Sequence, residues 1–275
     1  ANDLRDKQVL SLDEDKIKRV RFTWEGVSFE VERKNNNWID KNMPTYLEID
    51  VSRVWAILNT FLKLKVDNFE DDEPQNLSVY GLDKPSAEIE LFENEKAVRV
   101  LFGNKKGPHD YYLKLGSQDP VYSVNEFVLR QIPENVNDIR MRRIIKVDIE
   151  KISGIQIKKG DIKLSIIKEG KKWKLGGEND KKADESKVIK LMAELGGLEV
   201  EKFIDDKTKG LSFYGLDKPS IEITISGPGN RIILLFGKKE NQKVYAKVAD
   251  RESVYLLNDV ILSMIPSSKN ELIEK

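Results

Sequence analysis

A chain of 275 residues is long enough for one large domain or two of ordinary size. With 39% hydrophobic and 34% charged residues it can bury a core and stay in water, which excludes wholesale disorder, and no apolar run approaches the ~18 residues of a membrane span. Zero cysteines exclude disulfides, thiolate metal sites and cysteine nucleophiles, and a single histidine, His109, excludes two-histidine metal sites, so no cofactor is expected.

In chain order, Ile17, Val20 and Phe22, then Val27, Phe29 and Val31, alternate around Glu25-Gly26 and predict a hairpin. Trp38 marks a third strand, its ring expected in the core. Asp50 stands as N-cap before Val54, Ile57, Leu58 and Phe61, whose i, i+3, i+4, i+7 spacing predicts an amphipathic helix lying on one face of a sheet. A loop carrying Phe69-Glu70-Asp71-Asp72 follows, then Tyr80-Gly81-Leu82-Asp83-Lys84-Pro85-Ser86, whose Gly, Asp and Pro are turn chemistry. Strands are predicted over 87–93, 97–102, 111–115 and 121–124, and Asn125 caps a short helix that ends at Pro133.

Beyond Asn137 the series begins again. The heptapeptide recurs unchanged at Tyr214-Gly215-Leu216-Asp217-Lys218-Pro219-Ser220, and Leu101-Phe102-Gly103 recurs as Leu235-Phe236-Gly237. Trp173 answers Trp38, Asp184 with Val188, Leu191, Met192 and Leu195 answers the capped helix, and Asn258 with Pro266 answers the last element. Two repeat units are expected, 1–137 and 138–275. Short turns between strands with one long helix per copy predict an α+β fold of two tandem repeats, each a mainly antiparallel sheet with one amphipathic helix and a short C-terminal helix. The halves differ in charge: 1–137 carries 19 basic and 25 acidic residues, net −6, and 138–275 carries 28 and 22, net +6.

This arrangement of Tyr-Gly-Leu-Asp-Lys-Pro, a strand, Leu-Phe-Gly, a Val-Tyr strand and a short helix, preceded by a Trp and an amphipathic helix, resembles the bacterial family called domain of unknown function 4340. The resemblance covers nearly the whole chain, once per half. Members usually carry an N-terminal membrane anchor with the domain outside the cytoplasm, and some lie beside gliding-motility-type transporter components. The resemblance therefore implies an extracytoplasmic, cell-envelope location, with membrane contact only through an anchor that this chain lacks. Leu4-Arg5-Asp6-Lys7 looks like the family's segment between one repeat and the next. No reaction is assigned to the family, so no catalytic residue is carried over.

Features held by both copies are expected to serve the fold, which leaves those held by one for function. The aromatics Trp24, Phe92 and Tyr112 face Lys159, Ser226 and Ala246 in the repeat register, so they are the candidate binding surface, with Trp55 (facing Ile189) more suited to packing. Asp71 and Asp72, with Asp205 and Asp206 in the second copy, could join Asp83 or Asp217 as part of a cation's oxygen shell, against the plainer reading of solvated loop carboxylates. His109 faces Lys243 and is expected at the surface. Lysines from Lys158 to Lys182 lack an aromatic-basic face, so no nucleic-acid partner is expected. The heptapeptides are read as structural, their Asp side chains accepting hydrogen bonds from amides just downstream. The functional expectation is a non-catalytic module that binds or scaffolds a protein partner in a cell-envelope, transporter-associated assembly. The alternative is a carboxylate-based hydrolase or polysaccharide-processing enzyme with its site between the repeats, which needs two carboxyls roughly 5 to 9.5 Å apart.

Overall fold

The computed structural model describes residues 5–94, 96–177, 181–204 and 209–273. The chain divides into two compact units between Met141 and Arg142, four residues beyond the expected boundary. The shift has a physical cause. Residues 137–141 still belong to unit 1, where the Asp50 amide donates to the Ile139 carbonyl and the Met141 amide to the Glu48 carbonyl.

Unit 1 opens with β1 (Ile17–Trp24), β2 (Val27–Lys34) and β3 (Asn37–Ile39), continues through α1 (Val51–Leu62) and β4 (Asn68–Asp71), and closes with β5 (Ala87–Glu93), β6 (Lys96–Lys106), β7 (Asp110–Leu115), β8 (Val121–Asn125) and α2 (Glu126–Leu129). Its strands form one antiparallel sheet in the order β3-β2-β1-β5-β6-β7-β8-β4. Glu25 and Gly26 both have positive φ, 46° and 83°, the twist that a two-residue hairpin between right-twisted strands requires. The Asp50 carboxylate accepts the Arg53 amide and so caps α1. From there Val54, Ile57, Leu58 and Phe61 are fully buried against Val20, Phe22, Ile89, Val100, Phe102 and Leu113 from one face of the sheet. Phe61 meets Phe102 edge to face at 6.3 Å, and Trp38, 2% exposed, meets Trp55 of α1 at 5.8 Å.

Unit 2 repeats this plan: β9 (Gly154–Lys159), β10 (Ile162–Glu169), β11 (Lys172–Leu175), α3 (Glu185–Gly196), β12 (Lys202–Ile204), β13 (Ile221–Gly227), β14 (Asn230–Glu240), β15 (Lys243–Val248), β16 (Val254–Asn258) and α4 (Ile261–Met264). The order β11-β10-β9-β13-β14-β15-β16-β12 matches that of unit 1 position for position. Asp184 accepts the Ser186 and Lys187 amides, and these bonds, led by that from the Ser186 side chain, hold its carboxyl below the usual range. Trp173 is 3% exposed, in the core with Val188, Leu191, Met192 and Leu195. No described helix is long and apolar enough to cross a membrane.

Two details depart from the sequence reading. The segments after α1 and α3 were expected as loops, yet each forms an edge strand, with Phe69 opposite Tyr122 and Phe203 opposite Tyr255. And α4 starts at Ile261, three residues beyond Asn258, whose side chain accepts the Val260 amide ahead of the helix.

Candidate functional site

The duplicated heptapeptide is a latch on the outer face of each sheet, opposite the helix. Leu77–Tyr80 and Leu211–Tyr214 each make one 3-10 turn, ended by Gly81 or Gly215 at φ 68° and 67°. Glycine adopts that left-handed conformation readily, a Cβ at either position would press within 2.9 Å of the Asn104 or Lys238 backbone nitrogen, and the turn lets the Leu82 and Leu216 amides donate back to the Leu77 and Leu211 carbonyls. Farther on, the Ser86 hydroxyl donates to the Phe102 and Gly103 carbonyls, and Ser220 to those of Phe236 and Gly237. Pairing with the next strand breaks register after Phe102 and Phe236, and there the chain passes so close that a Cβ on Gly103 or Gly237 would penetrate the Tyr80 or Tyr214 carbonyl oxygen. Leu-Phe-Gly and the heptapeptide therefore recur together because each is the other's packing partner.

One expectation for this motif fails. Asp83 and Asp217 are exposed, and neither is engaged by a downstream amide, because the Ser amide and hydroxyl supply the bonds that hold the turn. Asp83→Ala and Asp217→Ala should each change stability by less than about 0.5 kcal/mol, the range for surface positions without a cap or ion pair. Denaturant melts showing a loss above that range for either variant would restore the capping role.

The candidate aromatics do not form one surface. Phe92 is only 7% exposed, with the Arg19 guanidinium 4.0 Å above its ring, so it is covered. Trp24 is half-buried at the end of β1 against the edge of the core. Tyr112 is not unshared. Phe102 pairs with Leu113 and Phe236 with Ala246, so Tyr112 occupies the place of Tyr245, and each stacks on its heptapeptide tyrosine at 5.0 Å. The single-residue slip arises in the β6–β7 turn, which has three residues where the β14–β15 turn has two. Asp110, rather than His109, therefore answers Lys243. His109 itself is exposed in that turn, with Nδ1 3.7 Å from the Glu126 carboxylate.

The acidic pair is spoken for in unit 1. Asp71 accepts the Tyr80 hydroxyl at 2.7 Å and the Glu73 amide, while Asp72 pairs with Arg5 at 2.6 Å. Neither converges with Asp83, and among the described residues no group of three or more potential metal ligands occurs. Asp205 and Asp206 lie outside the described residues.

A comparison with protein-family models matches Domain of unknown function (DUF4340) twice, over residues 42–182 and 173–275. The chain belongs to the DUF4340 family. Both matches in this DUF4340 chain start near the long helix, and the first runs on through β11. The family's period is thus out of phase with the compact units, whose division falls at Met141. Comparisons with curated proteins and with solved structures returned no match.

In this DUF4340 chain the parts of the sheets not covered by the latch differ between units. Across β2-β1-β5-β6 one rung reads Glu30, Arg21, Glu90, Arg99. Arg21 reaches Glu30 and Glu90 at 2.9 Å each, and Arg99 reaches Glu88 at 2.5 Å and Glu90 at 3.5 Å. The matching rung of unit 2 reads Ser165, Gln156, Thr224, Ile233, with no charge at all. Next to it Ile167 is 45% exposed. Sequence reasoning missed this contrast, although a period-two count outward from Val20, Phe22, Ile89 and Leu91 would have found the charged face.

An open depression of about 570 Å³ in unit 2 is lined by Lys159, Ser220, Lys239, Asp259, Val260 and Ser263, among others. Its polar groups are engaged. Lys159 donates to Ser267 Oγ at 2.7 Å and to the Ile265 and Leu262 carbonyls, capping the end of α4, and Lys239 pairs with Asp259 at 2.5 Å. Unit 1 carries Trp24 where Lys159 stands.

Tyr245 donates to Glu240 at 2.5 Å, and that bond together with burial pushes its hydroxyl up to about 12. Its folded value lies above the ~10 of an unfolded tyrosine, so this contribution to stability is complete below pH ~10 and lost as the pH rises through 12. Tyr245→Phe should flatten the fall in melting temperature over that window. An unchanged alkaline slope would show that other tyrosines carry it.

Proposed function

We propose that this chain is a non-catalytic, extracytoplasmic module of two repeats that binds or scaffolds protein partners in a cell-envelope assembly. One observation carries the reading: at matched register, the rung Glu30-Arg21-Glu90-Arg99 on the outer face of unit 1 is closed by ion pairs, whereas the same rung of unit 2 is uncharged, lying between the Lys158–Glu222 ion pair and the exposed Ile167. A common framework with divergent solvent faces is what a duplicated binding scaffold requires, because the framework keeps its core and latch residues while a face is free to fit a different partner. The recurrent motifs support the non-catalytic part, since Gly81, Ser86 and Gly103 with their counterparts serve the latch.

The test is photo-crosslinking in cells from a probe amino acid at Ile167, with Ile189 on the exposed side of α3 as reference. A discrete protein adduct from Ile167 alone is expected, and transporter subunits encoded nearby are the first partners to examine. Protease added to intact spheroplasts should degrade the protein. Full protection, with no Ile167 adduct, would reject the envelope scaffold.

A further inference from the structure

The latch turn differs between the units in one way that its structural role leaves unexplained. In unit 1 the turn exposes Val79, flanked in register by Gln75 and Asn104, both uncharged. In unit 2 the same three places hold Phe213, Lys209 and Lys238. Phe213 is 42% exposed and Leu211 beside it 40%. The Lys209 ammonium lies 3.7 Å and that of Lys238 4.2 Å from the centroid of the Phe213 ring. Lys218 is exposed in the following turn.

Two ammoniums on one ring are at most about 8 Å apart, within a single screening length, so they repel each other. The ring offsets part of that cost at an exposed site. Among the described residues none of these lysines pairs with a carboxylate: Asp217 is exposed one turn away, and Glu240 accepts the Tyr245 hydroxyl. The result is a small apolar tip, Phe213 and Leu211, ringed by lysines that form no ion pair among the described residues, on the half of the chain with net charge +6. The tip is held firmly by the Gly215 turn, the Ser220 bonds and the stacking of Tyr214 on Tyr245. An aromatic and a leucine that can enter the acyl boundary, with lysines at headgroup height, are the elements of a peripheral membrane contact.

We propose that the latch turn of unit 2 docks on an anionic lipid surface, Phe213 and Leu211 dipping into it and Lys209, Lys238 and Lys218 meeting the phosphates. The contact does not depend on the protein-scaffold reading. It would orient unit 2 toward a bilayer even where a tether lies elsewhere in the assembly.

Because the chain has no cysteine, Phe213→Cys and Val79→Cys can each carry a single environment-sensitive fluorophore. Vesicles of phosphatidylcholine and phosphatidylglycerol in equal parts should shift the emission of the probe at position 213 to the blue and leave that at 79 unchanged. Vesicles of phosphatidylcholine alone should affect neither. In co-sedimentation with the mixed vesicles, Lys209→Gln/Lys238→Gln should weaken partitioning roughly 30-fold, from about 1 kcal/mol per lysine near an anionic surface. Phe213→Ser, an exposed change that should leave the melting temperature intact, should also weaken it. No partitioning of the unsubstituted protein, equal shifts at both positions, or partitioning unaffected by either variant would overturn the proposal.

Discussion

Gly103→Ala and Gly237→Ala are each expected to destabilise their unit by about 3 kcal/mol, the upper end of the cost of overpacking. The reason is specific. The added methyl meets a backbone carbonyl, that of Tyr80 or Tyr214, which cannot move aside as a flexible side-chain end would. To admit the methyl, the latch must lift from the register break in β6 or β14, and the Ser86 or Ser220 bonds to that strand go with it. Chemical denaturation of each variant gives the loss, and hydrogen exchange should place it in the altered unit. A change within about 0.5 kcal/mol, as at an ordinary surface site, would mean that latch and strand do not pack as described.

Trp38→Ala is expected to cost about 3 to 5 kcal/mol and to lower the melting temperature of unit 1 by on the order of 10 °C. The ring is 2% exposed and stacks edge to face on Trp55, so its removal leaves a cavity between β3 and α1 that the short strand cannot collapse to fill. Trp173→Ala should do the same to unit 2, where the ring lies in the second core. Amide protection lost through β1–β8 and kept in β9–β16 would localise the Trp38 effect. A variant melting like the parent protein would show that the ring is not part of the core.

How far the sequence discloses this molecule depends on which physical signal each element carries. Period-two alternation in Ile17–Val31 and the two tryptophans arise from burial on one face, and burial is what sequence patterns report best. The edge strands β4 and β12 were not legible, because four residues such as Asn68–Asp71 show no period and owe their pairing to β8, more than fifty positions away. Tyr112 was misassigned for a related reason: one extra residue in the turn at Gly107-Pro108-His109 moves the register, and an ungapped offset cannot see it. The heptapeptide was legible as a turn, but its partner Gly103 was not, since a glycine needed for close approach looks like any other until the chain is folded. Charge on the outer face was visible residue by residue. Its arrangement into one rung, Glu30 to Arg99, required the strand order.

Exchange of that rung tests the divergence of the two faces most directly. Gln156→Arg, Ser165→Glu, Thr224→Glu and Ile233→Arg together would build the unit 1 ladder on unit 2, the new carboxylate at Thr224, only 3% exposed, being flanked by the two new arginines. The quantity to measure is the yield of crosslinked adduct from Ile167 in cells, in a variant confirmed to be folded. Loss of the adduct is the expected result, because a closed row of ion pairs replaces the uncharged rung beside the probe. An adduct of the same size and yield would contradict the assignment of this face as the one that binds.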